Sequence, residues 1–234
     1  MKQTPLLPGI GAIGLGLFLN KTRTLVLSDF HLGMEESLNR QGVLVPRFQF
    51  KDIKNQLEKI FTATKPRCIV LTGDLKHDFG RISELEWRIV VRLLDLCLKN
   101  AEKVVVIKGN HDPVLKYVTE RRNLDVVSHY VVSHNVSHNV SRHETDGITG
   151  GILVMHGDVL PSKELLKNVK TIIIGHEHPA ISLQHGIRVE KYKCFLRGSY
   201  KRKRLIVLPA FNPLTTGPDI LREARLSPFL KQPL

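Results

Sequence analysis

The chain has 234 residues, of which 42% are hydrophobic, and a formal net charge of +13. This length suits one domain with a sizeable core, and the ordinary hydrophobic fraction excludes a largely disordered chain. The positive charge favours polyanionic partners or phosphorylated substrates, although it also fits general surface charge that keeps a protein in solution. The three cysteines are scattered without a CxxC pair, which argues against a disulfide framework or a cysteine zinc site and predicts a reducing, cytoplasmic location.

The N-terminal stretch "PLLPGIGAIGLGLFLN" is apolar but interrupted by glycines. It is too short for a membrane span and lacks the continuous apolar run of a signal peptide, so we expect no membrane association. It contains a literal GxGxxG from Gly9 to Gly14, a fingerprint that binds dinucleotides only between a strand and a helix. The residues that follow instead predict a strand, a turn at 20–22 and a second strand, which argues against a dinucleotide site.

Short apolar runs rich in Val and Ile predict buried strands, because strands covered on both faces read as continuous apolar stretches. These runs lie at 24–28, 68–72, 104–108, 152–155 and 171–175. Helical spacing of apolar residues predicts helices at 46–61 and 84–98, and the second opens with a capping box formed by Ser83 and Glu86. The alternation of strand and helix indicates βαβ units and a mostly parallel sheet.

After about residue 125 the pattern changes to short β-like segments, at 130–140, 180–184, 187–197 and 204–208. They predict hairpins and a second sheet within one domain that spans residues 1–234. From Pro209 onward, prolines and "TTGP" predict a mostly irregular tail. The "KRKR" at 201–204 is the one dense basic cluster, and it fits either a nucleic-acid contact or a charged guard on an edge strand.

Each of the five apolar runs ends in polar residues of a particular kind. The runs are followed, in order, by "SDFH", "GD", "GNHD", "HGD" and "GHEH". In open α/β sheets ligands bind beyond the carboxyl ends of the strands, so these residues are predicted to meet at one edge. One such turn is ordinary, but five at the same end of their strands favour a functional site.

The residue types restrict the chemistry of this site. The absence of a thiolate excludes a structural zinc finger, whereas mixed imidazole and carboxylate ligands suit Mn, Fe, Zn, Ni or Co. The donors are too many for one ion and about right for two, and a carboxylate can bridge two ions. Two divalent ions would leave a positive centre that attracts a phosphate group and lowers the pKa of a bridging water to give hydroxide.

The order of "SDFHLG", "LTGDLKHD", "KGNHD", "MHGD" and "IIGHEH" resembles that of calcineurin-like metallophosphoesterases, and "GDLKHDFG" and "LPAFNP" resemble their prokaryotic ICC-like branch. The resemblance implies an α/β fold of two packed mixed β-sheets flanked by helices, a four-layer αββα sandwich. It implies two divalent metal ions as cofactors, manganese first, with Fe, Zn, Ni or Co as alternatives. It also implies a phosphoesterase that acts by in-line attack of a bridging hydroxide, with phosphodiesters and nucleic acids among the candidate substrates.

The same resemblance assigns roles to individual residues. One ion would be held by Asp29, His31, Asp74 and His178, and the other by Asp74, Asn110, His156 and His176, with Asp74 bridging. His111 would be catalytic, stabilising the phosphoryl charge or protonating the leaving oxygen. Asp112 is the second candidate catalytic residue. It would either orient His111 or simply precede Pro113 in a turn, and the sequence favours neither role. Some proteins of this fold have lost their metals and serve as interaction scaffolds, and we expect an enzyme because every coordination role is filled.

The sequence does not decide the roles of several neighbouring residues. Glu177 either accepts a hydrogen bond from a ligand imidazole or faces solvent, and Asp158 has the same two interpretations. His77 either contacts substrate or is a surface histidine. Arg81, Lys193 and Arg197 are candidates for holding a second phosphate. The sequence does not indicate an oligomeric state.

A second histidine cluster lies in "YVVSHNVSHNVSRHE" at 130–144. Val, Ser and Asn are poor helix formers, so a strand is predicted there. In a strand, His134 and His138 share one face but stand about 13 Å apart, too far to chelate one ion. We therefore predict a hairpin edge or insertion outside the catalytic site, in which alanine at both positions leaves metal content and turnover unchanged.

Overall fold

The first β-sheet has seven strands in chain order, and the computed structural model describes residues 1–79, 82–112, 115–133 and 150–231. Its strands are β1 (Thr4–Leu7), β2 (Ile10–Ile13), β3 (Gly16–Leu19), β4 (Thr24–Ser28), β5 (Cys68–Thr72), β6 (Lys103–Ile107) and β7 (Val126–Val127). The first four pair antiparallel, and β4 to β7 pair parallel. Gly9 and Gly14 adopt positive φ in the turns of this meander, so the GxGxxG stretch forms hairpins and a strand follows it, as predicted.

The second sheet has five strands in the order β13-β14-β10-β9-β8. The later strands of the chain are β8 (His129–Val132), β9 (Gly151–Met155), β10 (Val169–Ile174), β11 (Ala180–His185), β12 (Arg188–Lys193), β13 (Leu196–Tyr200) and β14 (Lys203–Val207). The central strands β9, β10 and β14 are parallel, and the edge strands β8 and β13 pair antiparallel. The hairpin of β11 and β12 is a separate two-stranded sheet.

The described helices all lie between strands along the chain. They are α1 (Met34–Arg40), α2 (Gln49–Thr64), α3 (Glu84–Asn100), α4 (Lys116–Glu120) and α5 (Lys163–Lys167). The predicted capping box opens α3, because Ser83 Oγ accepts from Glu86 N at 3.1 Å and the Glu86 carboxylate accepts from Ser83 N at 2.9 Å. No helix that the structure describes is long and apolar enough to cross a lipid bilayer.

Alternation along the strands gives each sheet two apolar faces. On one face of the first sheet, residues such as Leu25 and Leu71 pack against Leu57 of α2 and Leu93 of α3. On its other face, residues such as Val26 and Val70 pack against the second sheet through Val154, Ile173 and Ile206. The outer face of the second sheet is covered by Leu166 of α5 and by Phe229 near the C-terminus. The α/β prediction of two packed mixed sheets flanked by helices is confirmed, with an outer layer built from a five-residue helix and irregular chain.

The structure also shows where the predicted elements end. All five predicted buried runs are strands, and the two predicted helices correspond to α2 and α3. The expectation of a mostly parallel sheet holds for β4 to β7 and for β9, β10 and β14, whereas the other strands are antiparallel. From 209 to 231 the structure describes neither helix nor strand, as predicted. His129, just before the histidine-rich stretch, begins β8, while His134, His138 and His143 of that stretch lie outside the described residues.

Candidate metal centre

The carboxyl ends of five parallel strands deliver the predicted site residues to one place. Asp29 and His31 follow β4, Asp74 follows β5, Asn110 follows β6, His156 follows β9, and His176 and His178 follow β10. Three of these strands belong to the first sheet and two to the second. The site therefore lies where the carboxyl ends of two packed sheets meet, rather than along the edge of one sheet as predicted.

The first group of donors contains Asp29, His31, Asp74 and His178, whose ligand atoms all lie within 4.8 Å of one another. His178 Nε2 is 3.2 Å from His31 Nε2 and 3.1 Å from Asp29 Oδ1. His31 Nε2 is 3.7 Å from Asp74 Oδ2. Two imidazole nitrogens directed at two carboxylate oxygens form a donor set that suits a divalent cation.

The second group contains Asp74, His156 and His176, again with ligand atoms within 4.8 Å of one another. His156 Nε2 lies 3.2 Å from His176 Nδ1, 3.4 Å from Asp74 Oδ2 and 3.0 Å from Asn110 Oδ1. Asp74 thus belongs to both groups. The amide oxygen of Asn110 lies beside the second group and could add a neutral oxygen donor to it.

Both carboxylates have one oxygen held by the protein and one directed at the histidines. Asp29 Oδ2 accepts from Ser28 Oγ at 2.6 Å and from His176 N at 3.0 Å, whereas its buried Oδ1, 3.1 Å from His178 Nε2, makes no well-aligned hydrogen bond to any described residue. Asp74 Oδ1 accepts from His111 N at 2.9 Å, and its Oδ2 faces the imidazoles. A buried carboxylate oxygen without a well-aligned hydrogen bond requires an explanation, and a cation between it and the imidazole supplies one. The residues present therefore fit bound metal.

The carboxylates and imidazoles of the cluster shift one another's pKa values. Burial alone would raise the pKa of Asp29, but His178, His156 and His31 hold it below its usual range. Burial and the neighbouring His178 lower the pKa of His31 to about 3, so this imidazole is neutral at pH 7. Burial lowers the pKa of His156, but the Asp74 and Asp29 carboxylates outweigh it and raise the value to about 10. A cation that binds His156 must displace a proton.

The backbone at these positions is strained. Positive φ angles occur at Asp29 (57°), His31 (41°), Asp74 (47°), His176 (64°) and His178 (49°). Side chains with a Cβ rarely adopt this left-handed conformation, and it persists only where the surrounding structure fixes it. Strain of this kind concentrates at functional sites, where it holds groups in an arrangement that a relaxed chain would not provide.

His111 is held by its backbone and by its ring. Its Nδ1 donates to the carbonyl oxygen of His77 at 2.5 Å, so the proton on Nδ1 is fixed and Nε2 lies 3.9 Å from Asp74 Oδ2. The exposed ring of Phe79 packs against the His111 ring, with the two ring centroids 3.6 Å apart. The sequence interpretation did not include Phe79, and its position two residues after His77 was the available signal.

Asp112 binds backbone amides rather than the His111 ring. Its buried carboxylate accepts from the N–H groups of Leu75 at 3.1 Å, Gly109 at 3.2 Å and Lys76 at 3.4 Å. Burial, and then the nearby Asp74 carboxylate, raise its pKa to about 6. The side chain joins the loops after β5 and β6, so any effect on His111 passes through the backbone. Pro113 lies outside the described residues.

The structure shows the contacts or the burial of the residues whose roles the sequence did not decide. Glu177 is buried and accepts from the backbone N–H groups of Leu226 and Ser227, which matches neither interpretation given above. His77 is partly buried beside His31 and His111 and belongs to neither donor group. Asp158 is half-buried.

The candidates for a second phosphate have other partners or are not described. Arg197 donates to the Leu6 carbonyl at 2.8 Å, and Lys193 donates to the Ala210 carbonyl at 2.8 Å. Arg81 lies outside the described residues.

The "KRKR" cluster lies away from the site. It spans the turn between β13 and β14, and β14 runs parallel to β10, with Ile174 opposite Val207 and Thr171 opposite Arg204. The turn therefore lies at the amino end of β14. It is four strand residues, or about 13 Å, from the carboxyl end of β14, which lies beside the end of β10 that leads to His176 and His178.

Comparisons with known proteins identify the family and the fold of the chain. The sequence profile described as Calcineurin-like phosphoesterase matches residues 22–226. The crystal structure of the Pseudomonas putida nuclease MPE is 16% identical, covers 96% of this chain and 94% of its own, and superposes with a TM-score of 0.63, which shows a shared fold. The phosphoesterase Yfce from E. coli is 14% identical, with coverage of 80% and 79% and a TM-score of 0.41. No curated protein matches the chain. Because the profile covers most of its length, the protein belongs to the calcineurin-like phosphoesterase family.

Proposed function

We propose that the protein hydrolyses phosphate esters with two divalent metal ions, one in each donor group. The observation that carries this proposal is the position of Asp74 in both groups, since a shared carboxylate is how two ions are held close together. Asp29, His31, Asp74 and His178 would hold one ion, and Asp74, Asn110, His156 and His176 the other. The mixture of imidazole and carboxylate suits manganese first, and Fe, Zn, Ni or Co also match it.

The bound ions would draw in the phosphate group and lower the pKa of water so that hydroxide forms near neutral pH for in-line attack on phosphorus. The protein supplies the remaining steps. With Nδ1 bonded to the His77 carbonyl, His111 directs Nε2 toward the Asp74 side of the centre. A protonated imidazole at this point stabilises the negative charge of the phosphoryl oxygens or gives its proton to the leaving oxygen. Asp112 supports this arrangement by fixing the loop that carries His111.

Phosphodiesters, including nucleic acids, are the substrate class we favour. The net charge of +13 supports a polyanionic substrate. The structural match to a nuclease supports the same class only through the shared fold. The alternative, a scaffold without catalysis, is weaker because each coordination role is filled by a side chain of suitable chemistry.

The test is an assay of metal-stripped protein reconstituted with Mn²⁺. The substrates are p-nitrophenyl phosphate, bis(p-nitrophenyl) phosphate and single-stranded DNA, each repeated with Ni²⁺, Zn²⁺ and Mg²⁺. We expect turnover that depends on added metal and is faster on the diesters. Absence of turnover on all three substrates with every metal would contradict the proposal and favour the scaffold.

A further inference from the structure

Glu177 connects the loop between two candidate ligands to a distant part of the chain. It lies between His176 and His178, and its side chain is 0% exposed. Its carboxylate accepts from Leu226 N at 3.0 Å and from Ser227 N at 2.7 Å. Burying a carboxylate is costly unless hydrogen bonds compensate it, so these two amides are what make the position tolerable. The chain between 226 and 230, here called the C-terminal clasp, is thereby tied to the ligand loop.

The clasp has a second tie, to the other histidine loop of the same sheet. Ser227 Oγ donates to the carbonyl oxygen of Gly157 at 2.7 Å, and Gly157 directly follows His156. Phe229 anchors the clasp, since it is 3% exposed and its ring lies 4.8 Å from that of Tyr200. One short segment therefore contacts both loops that carry the candidate histidine ligands of the second sheet.

The opposite side of the ligand loop is enclosed as well. Ala180 N donates to the Pro218 carbonyl at 3.0 Å, and Ser182 N donates to Asp219 Oδ2 at 3.1 Å. Gly217 packs so closely that a Cβ there would stand 1.7 Å from the carbonyl oxygen of His178. The loop from 176 to 180 is thus held between the chain at 217–219 and the clasp.

The enclosed loop is the part that needs support. His176 and His178 have φ angles of 64° and 49°, and Glu177 is the residue between them. Such a backbone relaxes unless its surroundings fix it, and relaxation would turn both imidazoles away from their partners. We propose that Glu177 is a positioning residue, which raises the metal affinity of the centre by holding His176 and His178 through the C-terminal clasp. This inference rests on the metal centre proposed above.

The direct test changes the carboxylate without changing its size. Glu177→Gln removes the negative charge and leaves one acceptor oxygen where the carboxylate offers two to the clasp, whereas Glu177→Asp keeps the charge and partly restores the contact. We expect the Mn²⁺ dissociation constant of metal-stripped Glu177→Gln, measured by calorimetry, to rise about 10- to 100-fold, as for other groups that orient metal ligands. Glu177→Asp should lie between this variant and wild type. Saturating Mn²⁺ should recover most of the turnover.

A second variant weakens the contact between Glu177 and the clasp by changing the clasp. Phe229→Ala loosens the clasp without touching Glu177, and it should weaken Mn²⁺ binding in the same direction. The double variant should be no weaker than the more affected single variant, because both changes remove one contact. Ile60→Ala in α2 is the stability control, since Ile60 is fully buried and belongs to the core cluster on the helix side of the first sheet. It should lower the melting temperature and leave the Mn²⁺ dissociation constant unchanged.

A folded Glu177→Gln protein with wild-type Mn²⁺ affinity would overturn the inference, as would equal weakening in Ile60→Ala. If Glu177→Gln is not recovered folded, Phe229→Ala decides by the same comparison with Ile60→Ala. Failure of the wild-type protein to bind Mn²⁺ would instead count against the proposed function. Wild-type binding together with an unaffected Glu177→Gln would count against this inference alone.

Discussion

Single side chains at the candidate centre are oriented by the groups behind them. The His77 carbonyl oxygen accepts a hydrogen bond from Nδ1 of His111, and the Thr72 carbonyl oxygen lies 3.1 Å from Nδ1 of His156. Because a carbonyl oxygen only accepts, each contact fixes the proton on Nδ1 and leaves Nε2 for the centre. Orientation of this kind is what a ligand or a general acid requires.

His111 is proposed as a general acid and not as a metal ligand, so its loss should affect turnover and not metal binding. His111→Ala should lower turnover about 100- to 10,000-fold, the range for loss of a general acid, while Mn²⁺ affinity stays near that of wild type. Steady-state kinetics on an alkyl ester, which has a poor leaving group, together with Mn²⁺ titration, check it. Wild-type turnover on that ester would remove His111 from the catalytic role.

At the scale of elements, the site depends on how closely strand ends approach. Gly175 directly follows β10, and a Cβ there would stand 1.7 Å from Ser28 Oγ and 2.5 Å from Asp29 Oδ2. Only a residue without a side chain lets the loop after β10 lie against the loop after β4. The two sheets therefore meet at a contact that glycine makes possible.

Gly175→Ala should therefore separate the two loops. We expect weaker Mn²⁺ binding and a free energy of unfolding lower by about 1–3 kcal/mol, since extra volume in a packed region forces neighbours to move. Gly198→Ala in β13 is the matched control, because a Cβ there meets nothing within 4 Å. Its stability should stay within about 0.5 kcal/mol of wild type. Equal behaviour of the two variants in urea unfolding would contradict this account of the strand ends.

The sequence predicted the elements whose signals are local. The apolar runs of β4, β5, β6, β9 and β10 and the capping box of α3 are visible in a few neighbouring residues. The polar residues after these runs are brought together as expected, and their role as ligands stays a prediction. A second sheet was predicted, but the assignment of β9 and β10 to that sheet was not, because β4 and β9 are both buried on two faces and their sequences look alike. The role of Glu177 was hidden because its partners lie 49 and 50 residues further along the chain.

At the scale of the whole molecule, the densest cluster of positive charge lies apart from the candidate metal centre. The candidate centre is built from carboxylate, imidazole and amide side chains at the carboxyl ends of the strands, whereas the densest basic cluster is at the turn between β13 and β14. A net charge of +13 attracts anions from a distance, but this turn does not line the centre.

This separation predicts a variant without effect on small substrates. Lys201→Gln combined with Arg202→Gln should leave kcat/KM for bis(p-nitrophenyl) phosphate unchanged, because the turn is about 13 Å from the end of β14 that borders the donors. Initial-rate measurements at fixed ionic strength check it. A clear fall in kcat/KM for this small diester would mean that the turn contributes to the site.

The number of metal ions per chain tests the central claim most directly. Calorimetric titration of metal-stripped protein with Mn²⁺ should give two ions per wild-type chain. Asp74→Asn should weaken both binding events, because one carboxylate belongs to both donor groups. One ion per wild-type chain, or an Asp74→Asn protein that loses only one of two ions, would contradict the shared centre.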